Sequence, residues 1–184
     1  MSLVRKARKL VTNGEIGAVR RVMIEHPQGW LSSRVETKGD RRAMWRTDTK
    51  KAGPAGCLAD LGGRCLSFVE YLTGLSVTEV CADLATFVPN RRAADDATLL
   101  LRFDNGGRGT LWVSQVAING HDAMSLRIFA EKGSIRWDLS EPSILEVYRA
   151  DGTKQEMRGE SAAPEVQGKS VEEFTPHDIQ ALAH

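Results

Sequence analysis

Asp60 and Arg64 lie four residues apart in a segment with helical periodicity, and Cys57 lies three residues before Asp60. Residues three and four apart share one face of an α-helix, so the three side chains are expected to point in the same direction. Asp60 could orient a substrate hydroxyl, and Arg64 could supply fixed N–H donors to an oxygen-rich ligand. The alternative is a simple helical ion pair worth about 0.3 to 0.5 kcal/mol. Arg64 cannot act as a proton shuttle, because a guanidinium keeps its proton in proteins.

Two tryptophans, Trp30 and Trp45, lie within a polar segment, 28–54, that is rich in Gly, Arg, Lys and Thr and shows no lasting periodicity. We interpret this segment as a long loop, and such a loop in a compact domain is usually functional or disordered. The embedded tryptophans favour docking, either into the core of the domain itself or against a ligand.

Other chemical motifs give no site. The four histidines are scattered, and none has a partner at a metal-ligand offset, so we expect no bound metal. We interpret the one that follows Asn119-Gly120 as a turn residue. The sequence contains no G-x-S-x-G nucleophile elbow and no glycine-rich phosphate-binding motif, so we expect no cofactor-binding residues in this chain. The histidines are His26, His121, His177 and His184.

Composition limits the partners of the chain. Its 184 residues include 25 Lys and Arg against 24 Asp and Glu, a net charge of +1 that argues against nucleic-acid binding. No window is apolar enough for a membrane span, so we expect no membrane partner and a cytoplasmic location. Cys57, Cys65 and Cys81 are an odd number without pairing motifs, and we predict three free thiols.

Periodicity predicts an α+β domain. Helical spacing covers 3–11 and 55–72, and alternation predicts a strand at 19–26. Six more strands follow with short turns between them, which favours a large, mostly antiparallel sheet with helices on one face. The open face would then be wet or buried by a second copy, and we expect a homodimer through it. The six strands are predicted at 77–87, 97–103, 109–116, 124–130, 134–139 and 144–149.

Seven strings stand in order along the chain: GEIGAVRRV (14–22), PQGWL (27–31), MWRTD (44–48), ADLGGR (59–64), ADLATFV (82–88), DDATLLLRF (95–103) and SQV (114–116). Together they resemble the C-terminal domain of the glucose–fructose oxidoreductase / inositol dehydrogenase (Gfo/Idh/MocA) family. The resemblance covers about residues 3–159. We therefore expect residues 1–159 to form the family's substrate and oligomerisation domain and residues 160–184 to form a loosely ordered tail or short helix.

The resemblance implies a fold, a cofactor and an activity. Family members use NAD(P) to oxidise sugars, polyols and related hydroxy compounds, and their open sheet face builds dimers or tetramers. Their N-terminal Rossmann domain carries the nucleotide-binding glycines and a catalytic lysine. Both are missing from this sequence, so we expect a chain without the Rossmann domain, without bound NAD(P) and without activity as a fragment.

The resemblance also implies site residues. The family's catalytic pattern, roughly G-D-x-x-x-H, places Asp60 at the aspartate, but Arg64 stands where the proton-shuttling histidine is expected. A general base would then have to be Asp60 or the missing lysine. Trp45 and Arg46 resemble residues of the loop that lines the substrate cleft, which gives Trp45, Arg46, Asp60 and Arg64 as predicted substrate-binding residues. The replacement of histidine leaves a second hypothesis, a non-catalytic ligand-binding or scaffold member of the family.

Overall fold

The protein's structure, a computed structural model, describes residues 3–118 and 122–159. One large sheet and a few helices make up the described residues, which confirms the α+β prediction. The helices are α1 (Leu3–Thr12), α2 (Arg41–Thr47), α3 (Thr49–Ala52) and α4 (Gly63–Thr73). The strands are β1 (Val19–Pro27), β2 (Val77–Ala85), β3 (Asp96–Phe103), β4 (Arg108–Ser114), β5 (Ser125–Ala130), β6 (Gly133–Asp138), β7 (Ile144–Arg149) and β8 (Lys154–Arg158).

The eight strands lie in the order β2-β3-β4-β1-β5-β6-β7-β8. Neighbours are antiparallel except β1 and β4, which run parallel. The long connection between β1 and β4 permits this parallel pair, because such a pair needs a crossover of a dozen or more residues. Strand β8 was not predicted, since Met157 is the single apolar residue in it.

Alternate side chains of the strands build the core beneath α1 and α4. In β1, Val22 and Ile24 are buried, whereas Met23 between them is exposed on the opposite face. Phe68 of α4 reaches the sheet and packs against Trp137, with ring centroids 5.4 Å apart. The helices therefore cover one face of the sheet, as predicted, and the described residues leave the other face open.

The prediction of an irregular loop over 28–54 is wrong in part. The segment contains a 3-10 turn at Val35–Lys38 and the short helices α2 and α3. The carboxylate of Asp40 accepts backbone N–H bonds of 2.8 and 3.0 Å at the start of α2, and Asp48 caps α3 in the same way. Helices this short are stabilised by their caps and fall below the length over which periodicity can be read.

The main helix begins later than predicted. A turn at 54–56 comes first, and a π-helical turn at Leu58–Gly62 then continues into α4. Gly56 has φ +47°, and a Cβ at this position would lie 1.9 Å from the carbonyl oxygen of Ala94. Only glycine permits this close approach, which places the start of the helix against the residues that precede β3.

A buried ion-pair network fixes the segment that carries Trp30. The Arg91 side chain is 1% exposed and pairs with Asp95 (Nη1–Oδ2, 3.2 Å) and Glu36 (Nη2–Oε2, 3.1 Å). It also donates to the backbone carbonyls of Leu31 at 2.9 Å and Ser33 at 3.1 Å. We call Arg91, Asp95 and Glu36 the Arg91 clamp. It ties the segment after β1 to the connection between β2 and β3.

Several predictions concern single residues or the chain ends. The three cysteines are free thiols, as predicted, with Cys57 and Cys65 buried and Cys81 exposed. Across 3–118 and 122–159, no helix is both long and apolar enough to cross a membrane. The predicted turn at Asn119-Gly120 and the predicted tail at 160–184 lie outside the described residues.

Candidate substrate-binding site

Asp60 lies at the centre of a polar cluster just before α4. Its carboxylate accepts hydrogen bonds from Arg46 (Nε–Oδ2, 2.8 Å; Nη2–Oδ1, 3.3 Å) and from Gln115 (Nε2–Oδ2, 2.8 Å). Arg64 Nη2 lies 3.9 Å from Oδ1. We call Asp60, Arg46, Arg64 and Gln115 the Asp60 cluster. The side chains of Asp60, Arg46 and Arg64 are 20 to 25% exposed, so a ligand can reach them.

Arg46 is the main charge partner of Asp60. The predicted helical ion pair with Arg64 is present, but at 3.9 Å its charged atoms are farther apart than those of Arg46 and Asp60 at 2.8 Å. Two parallel N–H···O contacts from one guanidinium give strength and a defined orientation. Three of the four predicted substrate-binding residues, Arg46, Asp60 and Arg64, are thus brought together by the fold.

Arg64 folds back onto the main chain. Its Nε and Nη2 donate to the backbone carbonyl of Asp60 at 3.2 and 3.0 Å. This carbonyl belongs to the π-helical turn, and such turns rearrange the regular helical hydrogen bonds and occur frequently at functional sites. The π-helical turn and Arg64 together fix the part of the backbone that carries the Asp60 carboxylate.

Trp30 and Trp45 lie beside the Asp60 cluster and not in the core. Arg42 places its guanidinium carbon 5.3 Å from the ring centroid of Trp30, and Arg46 lies 5.8 Å from Trp30 and 6.0 Å from Trp45. Guanidinium groups stack favourably on aromatic rings at such distances. Trp45 is exposed and Trp30 is half-buried, so core docking is wrong for both, and ligand contact stays a prediction.

Sequence reasoning gave no role to Gln115. This residue follows β4 and is buried, with its backbone N–H donating to Asp95 O and its carbonyl accepting from Leu31 N–H. Because buried amide groups need hydrogen-bond partners, its side chain must pair with another element, and it does so with Asp60. A glutamine at the end of an apolar strand was the signal available in the sequence.

His26 was also missed, because no metal-ligand offset and no nucleophile motif in the sequence gave it a chemical role. It is buried near the end of β1, and burial lowers its pKa from 6.5 to about 4. The positive charge of Arg64 contributes to this lowering, whereas Asp122 and Asp60 oppose it. The imidazole is therefore neutral at physiological pH.

Cys57 does not share the orientation of Asp60 and Arg64, so that prediction is wrong. Its thiol is fully buried and donates to the carbonyl of Val113 with a sulfur-to-oxygen distance of 3.8 Å. Burial raises the pKa of the Cys57 thiol to about 12, and two nearby carboxylates add to the effect. The change from α to π geometry after Cys57 breaks the spacing on which the prediction depended.

A comparison with protein families gives the identification. Residues 4–136 match the family model of the GFO/IDH/MocA C-terminal domain. The chain belongs to this family. The match covers all four members of the Asp60 cluster and the Arg91 clamp, so the GFO/IDH/MocA family resemblance seen in the sequence is confirmed.

Two curated relatives of this GFO/IDH/MocA chain come from Bacillus subtilis (strain 168). The uncharacterized oxidoreductase YfiI is 29% identical over 147 residues, which cover 79% of this chain and 37% of the relative. The uncharacterized oxidoreductase YrbE is 29% identical over 153 residues, which cover 80% of this chain and 40% of the relative. The chain thus spans about two fifths of the length of these relatives.

Solved structures share the fold. An inositol dehydrogenase homolog from Azotobacter vinelandii, complexed with NAD+, has a TM-score of 0.79 at 22% identity over 96% of this chain and 48% of its own. An oxidoreductase from Sinorhizobium meliloti has a TM-score of 0.72 at 27% identity over 98% of this chain and 48% of its own. Levoglucosan dehydrogenase, in complex with NADH and levoglucosan, has a TM-score of 0.73 at 23% identity over 95% of this chain and 50% of its own.

The described part of this GFO/IDH/MocA domain does not fit a dinucleotide. A dinucleotide site needs a strand that leads through a glycine-rich turn into a helix whose N-terminus faces the phosphates. Within the described ranges, β1 ends at Pro27 and leads into Gln28 and a 3-10 turn, and the other strands lead into further strands. We therefore assign no reaction step through NAD(P) to these residues. In the same ranges, no group of three or more His, Cys, Asp and Glu side chains could hold a metal ion.

Proposed function

We propose that this chain is the substrate-binding domain of an NAD(P)-dependent oxidoreductase that acts on sugars, polyols or related hydroxy compounds. The Asp60 cluster is the observation that carries the proposal. It presents a carboxylate, held by a guanidinium and an amide, at a position that solvent can reach. Family membership supports it, as does the fold shared with levoglucosan dehydrogenase and with an inositol dehydrogenase homolog, both complexed with NADH. The dinucleotide site belongs, in this proposal, to a separate Rossmann domain.

Each residue of the site has a distinct part in binding. Asp60 accepts a hydrogen bond from a substrate hydroxyl, and Arg46 and Gln115 keep its carboxylate in place. Trp45 offers an exposed aromatic face against which the C–H groups of a sugar ring can pack. Arg64 keeps its proton, so the hydroxyl proton must pass to Asp60 or to a residue of the nucleotide-binding domain.

Turnover measurements test this domain role. The 184-residue chain is expected to reduce neither NAD+ nor NADP+ with myo-inositol, levoglucosan or D-glucose. The same chain, joined to the Rossmann domain of an active family member, is expected to oxidise at least one of them with Arg64 unchanged. Turnover by the isolated chain would contradict the domain role.

A second candidate is a non-catalytic ligand-binding member of the family, and the presence of Arg64 at the expected histidine position favours it. The fusion protein separates the two candidates. If the fusion with Arg64 is inactive and Arg64→His creates activity, the non-catalytic candidate is supported. If activity is present with Arg64, this second candidate is rejected.

We also propose that the open sheet face mediates a homodimer or tetramer. Several large apolar side chains are exposed on this face, in register across the sheet. Such a patch on a soluble domain often marks a protein interface. The side chains are Met23, Leu100, Phe129 and Tyr148.

Sedimentation equilibrium is expected to give the mass of two or four chains for the unchanged protein. Leu100→Glu is expected to lower this mass, because it places a charge in the interface. Val80→Glu is the matched control, because Leu100 and Val80 are 57% and 53% exposed but lie on opposite faces of the sheet. A monomeric wild-type protein would contradict the proposal.

A further inference from the structure

Three polar side chains form a series from the segment after β1 to the buried end of β1 itself. The indole Nε1–H of Trp30 donates to Gln28 Oε1 at 3.0 Å. The other end of the same amide, Gln28 Nε2, lies 3.3 Å from His26 Nε2. We call these residues the Trp30–Gln28–His26 series.

The hydrogen-bonding capacities of the three groups determine where the imidazole proton lies. An indole N–H can only donate, so the oxygen of the Gln28 amide must face Trp30. The amide nitrogen, which also only donates, must then face His26. The Nε2 atom of His26 can contact this nitrogen favourably only as an acceptor, and an acceptor imidazole nitrogen carries no proton.

We propose that Gln28 is a positioning residue that holds His26 as a neutral imidazole with its proton on Nδ1. A second proton, on Nε2, would bring two N–H donors against each other and is disfavoured. With Nε2 facing the amide of Gln28 and the proton on Nδ1, His26 has no free acceptor nitrogen and does not replace the proton-accepting histidine whose position Arg64 occupies. This last consequence rests on the proposed function, whereas the position of the proton does not.

His26 lies in buried surroundings with several charged groups nearby. The ring is 4% exposed, and within the described residues Nδ1 has no hydrogen-bond partner at ordinary length. A backbone hydrogen bond with Asp122 raises the pKa of the ring, but its effect is smaller than that of burial. The charged groups that act on the ring are the guanidinium of Arg64 and the carboxylates of Asp122 and Asp60. A buried N–H without a partner is costly, so the contact between Nε2 and Gln28 must outweigh this cost for the proton to stay on Nδ1.

Nitrogen NMR of the 15N-labelled chain tests the proposal without any substrate. At pH 7, Nδ1 of His26 is expected to show the chemical shift of a protonated nitrogen, and Nε2 that of a bare nitrogen. This arrangement is the reverse of the one that imidazole side chains favour in water. A bare Nδ1, or an equal mixture of the two forms, would overturn the proposal.

Gln28→Glu is the decisive variant. A carboxylate accepts at both oxygens, so one can accept from Trp30 and the other from a proton on His26 Nε2. The tautomer is expected to reverse, and the pKa of His26 is expected to rise by about 1 to 3 units because a negative charge now contacts the ring. Unchanged nitrogen shifts in a folded Gln28→Glu protein would overturn the proposal.

Two further variants separate positioning from mere packing. Gln28→Leu removes both hydrogen bonds without adding charge, so Nε2 is expected to gain protonated population while burial keeps the pKa of His26 low. Trp30→Phe retains an aromatic ring but frees the amide of Gln28 to rotate, and it too is expected to give a mixture of tautomers. It provides the test if Gln28→Glu does not fold. Failure of the fusion enzyme to oxidise sugars would contradict the proposed function and leave these spectra unaffected.

Discussion

Replacing Arg91 with alanine is expected to lower the free energy of unfolding by about 3 to 5 kcal/mol, because the variant leaves a buried carboxylate without its counter-charge. The Asp95 side chain is 1% exposed, and among the described residues it then keeps the backbone N–H groups of Phe87 and Val88 as its donors, at 2.7 and 3.1 Å. Two carbonyls in the segment after β1 lose their donor as well. Urea-induced unfolding, followed by tryptophan fluorescence, measures the change.

Arg102→Ala is the matched control for the Arg91 clamp. Arg102 pairs with Glu79 at 3.3 Å, but the two side chains are 55% and 65% exposed. Exposed pairs of this kind contribute at most about 1 kcal/mol. If Arg91→Ala and Arg102→Ala lower the free energy of unfolding equally, the buried Arg91 clamp contributes no more to stability than an exposed ion pair, which would contradict the prediction. Arg91→Lys keeps the charge without the forked geometry and is expected to give an intermediate loss, measurable even if Arg91→Ala does not fold.

Replacing Asp60 with asparagine, in an active enzyme that contains this domain, is expected to reduce kcat/KM by about a hundredfold to ten-thousandfold. The variant keeps the side-chain shape but removes the charge that Arg46 and Arg64 face. One carboxylate oxygen accepts from both Arg46 and Gln115, and the other accepts from Arg46. Asparagine offers one oxygen and one NH2 group, so at least one contact places donor against donor.

Steady-state kinetics with the fusion enzyme, together with thermal unfolding, measure this effect. Asp83→Asn provides a matched control, since it makes the same chemical change at an exposed position on β2. If Asp60→Asn reduces activity no more than Asp83→Asn does, Asp60 has no role in binding or catalysis. A loss of activity in a protein that still unfolds at the temperature of the unchanged enzyme assigns the effect to the site.

The sequence predicted those features that depend on neighbouring residues. Helix α1 and strands β3 and β4 bury alternate or helically spaced apolar side chains, so their patterns are readable in a short window. Asp60 and Arg64 were found because they lie on one short segment that also carries a family pattern. Arg46 was found through the family resemblance alone.

Features that depend on distant residues were not predicted. Asp60 meets Arg46 from 14 residues away and Gln115 from 55 residues away, and no local pattern specifies either contact. The pairing of β1 with β4 is parallel because of the whole sheet order, which short turns alone do not reveal. Helices α2 and α3 begin at aspartate N-caps and have no apolar stripe from which they could be predicted.

The central place of β1 has a consequence for the order of folding. Strands β2, β3 and β4 form one meander and β5 to β8 form another, and within the sheet these two units meet only through β1. Each meander can form by local hairpin closure, whereas β1 must find partners as distant in sequence as Arg21 from Arg108 and Val19 from Ala130. Because non-local pairing carries the largest loop-closure entropy, we expect insertion of β1 to limit the folding rate. His26 and the loop that carries Trp30 would then reach their places last.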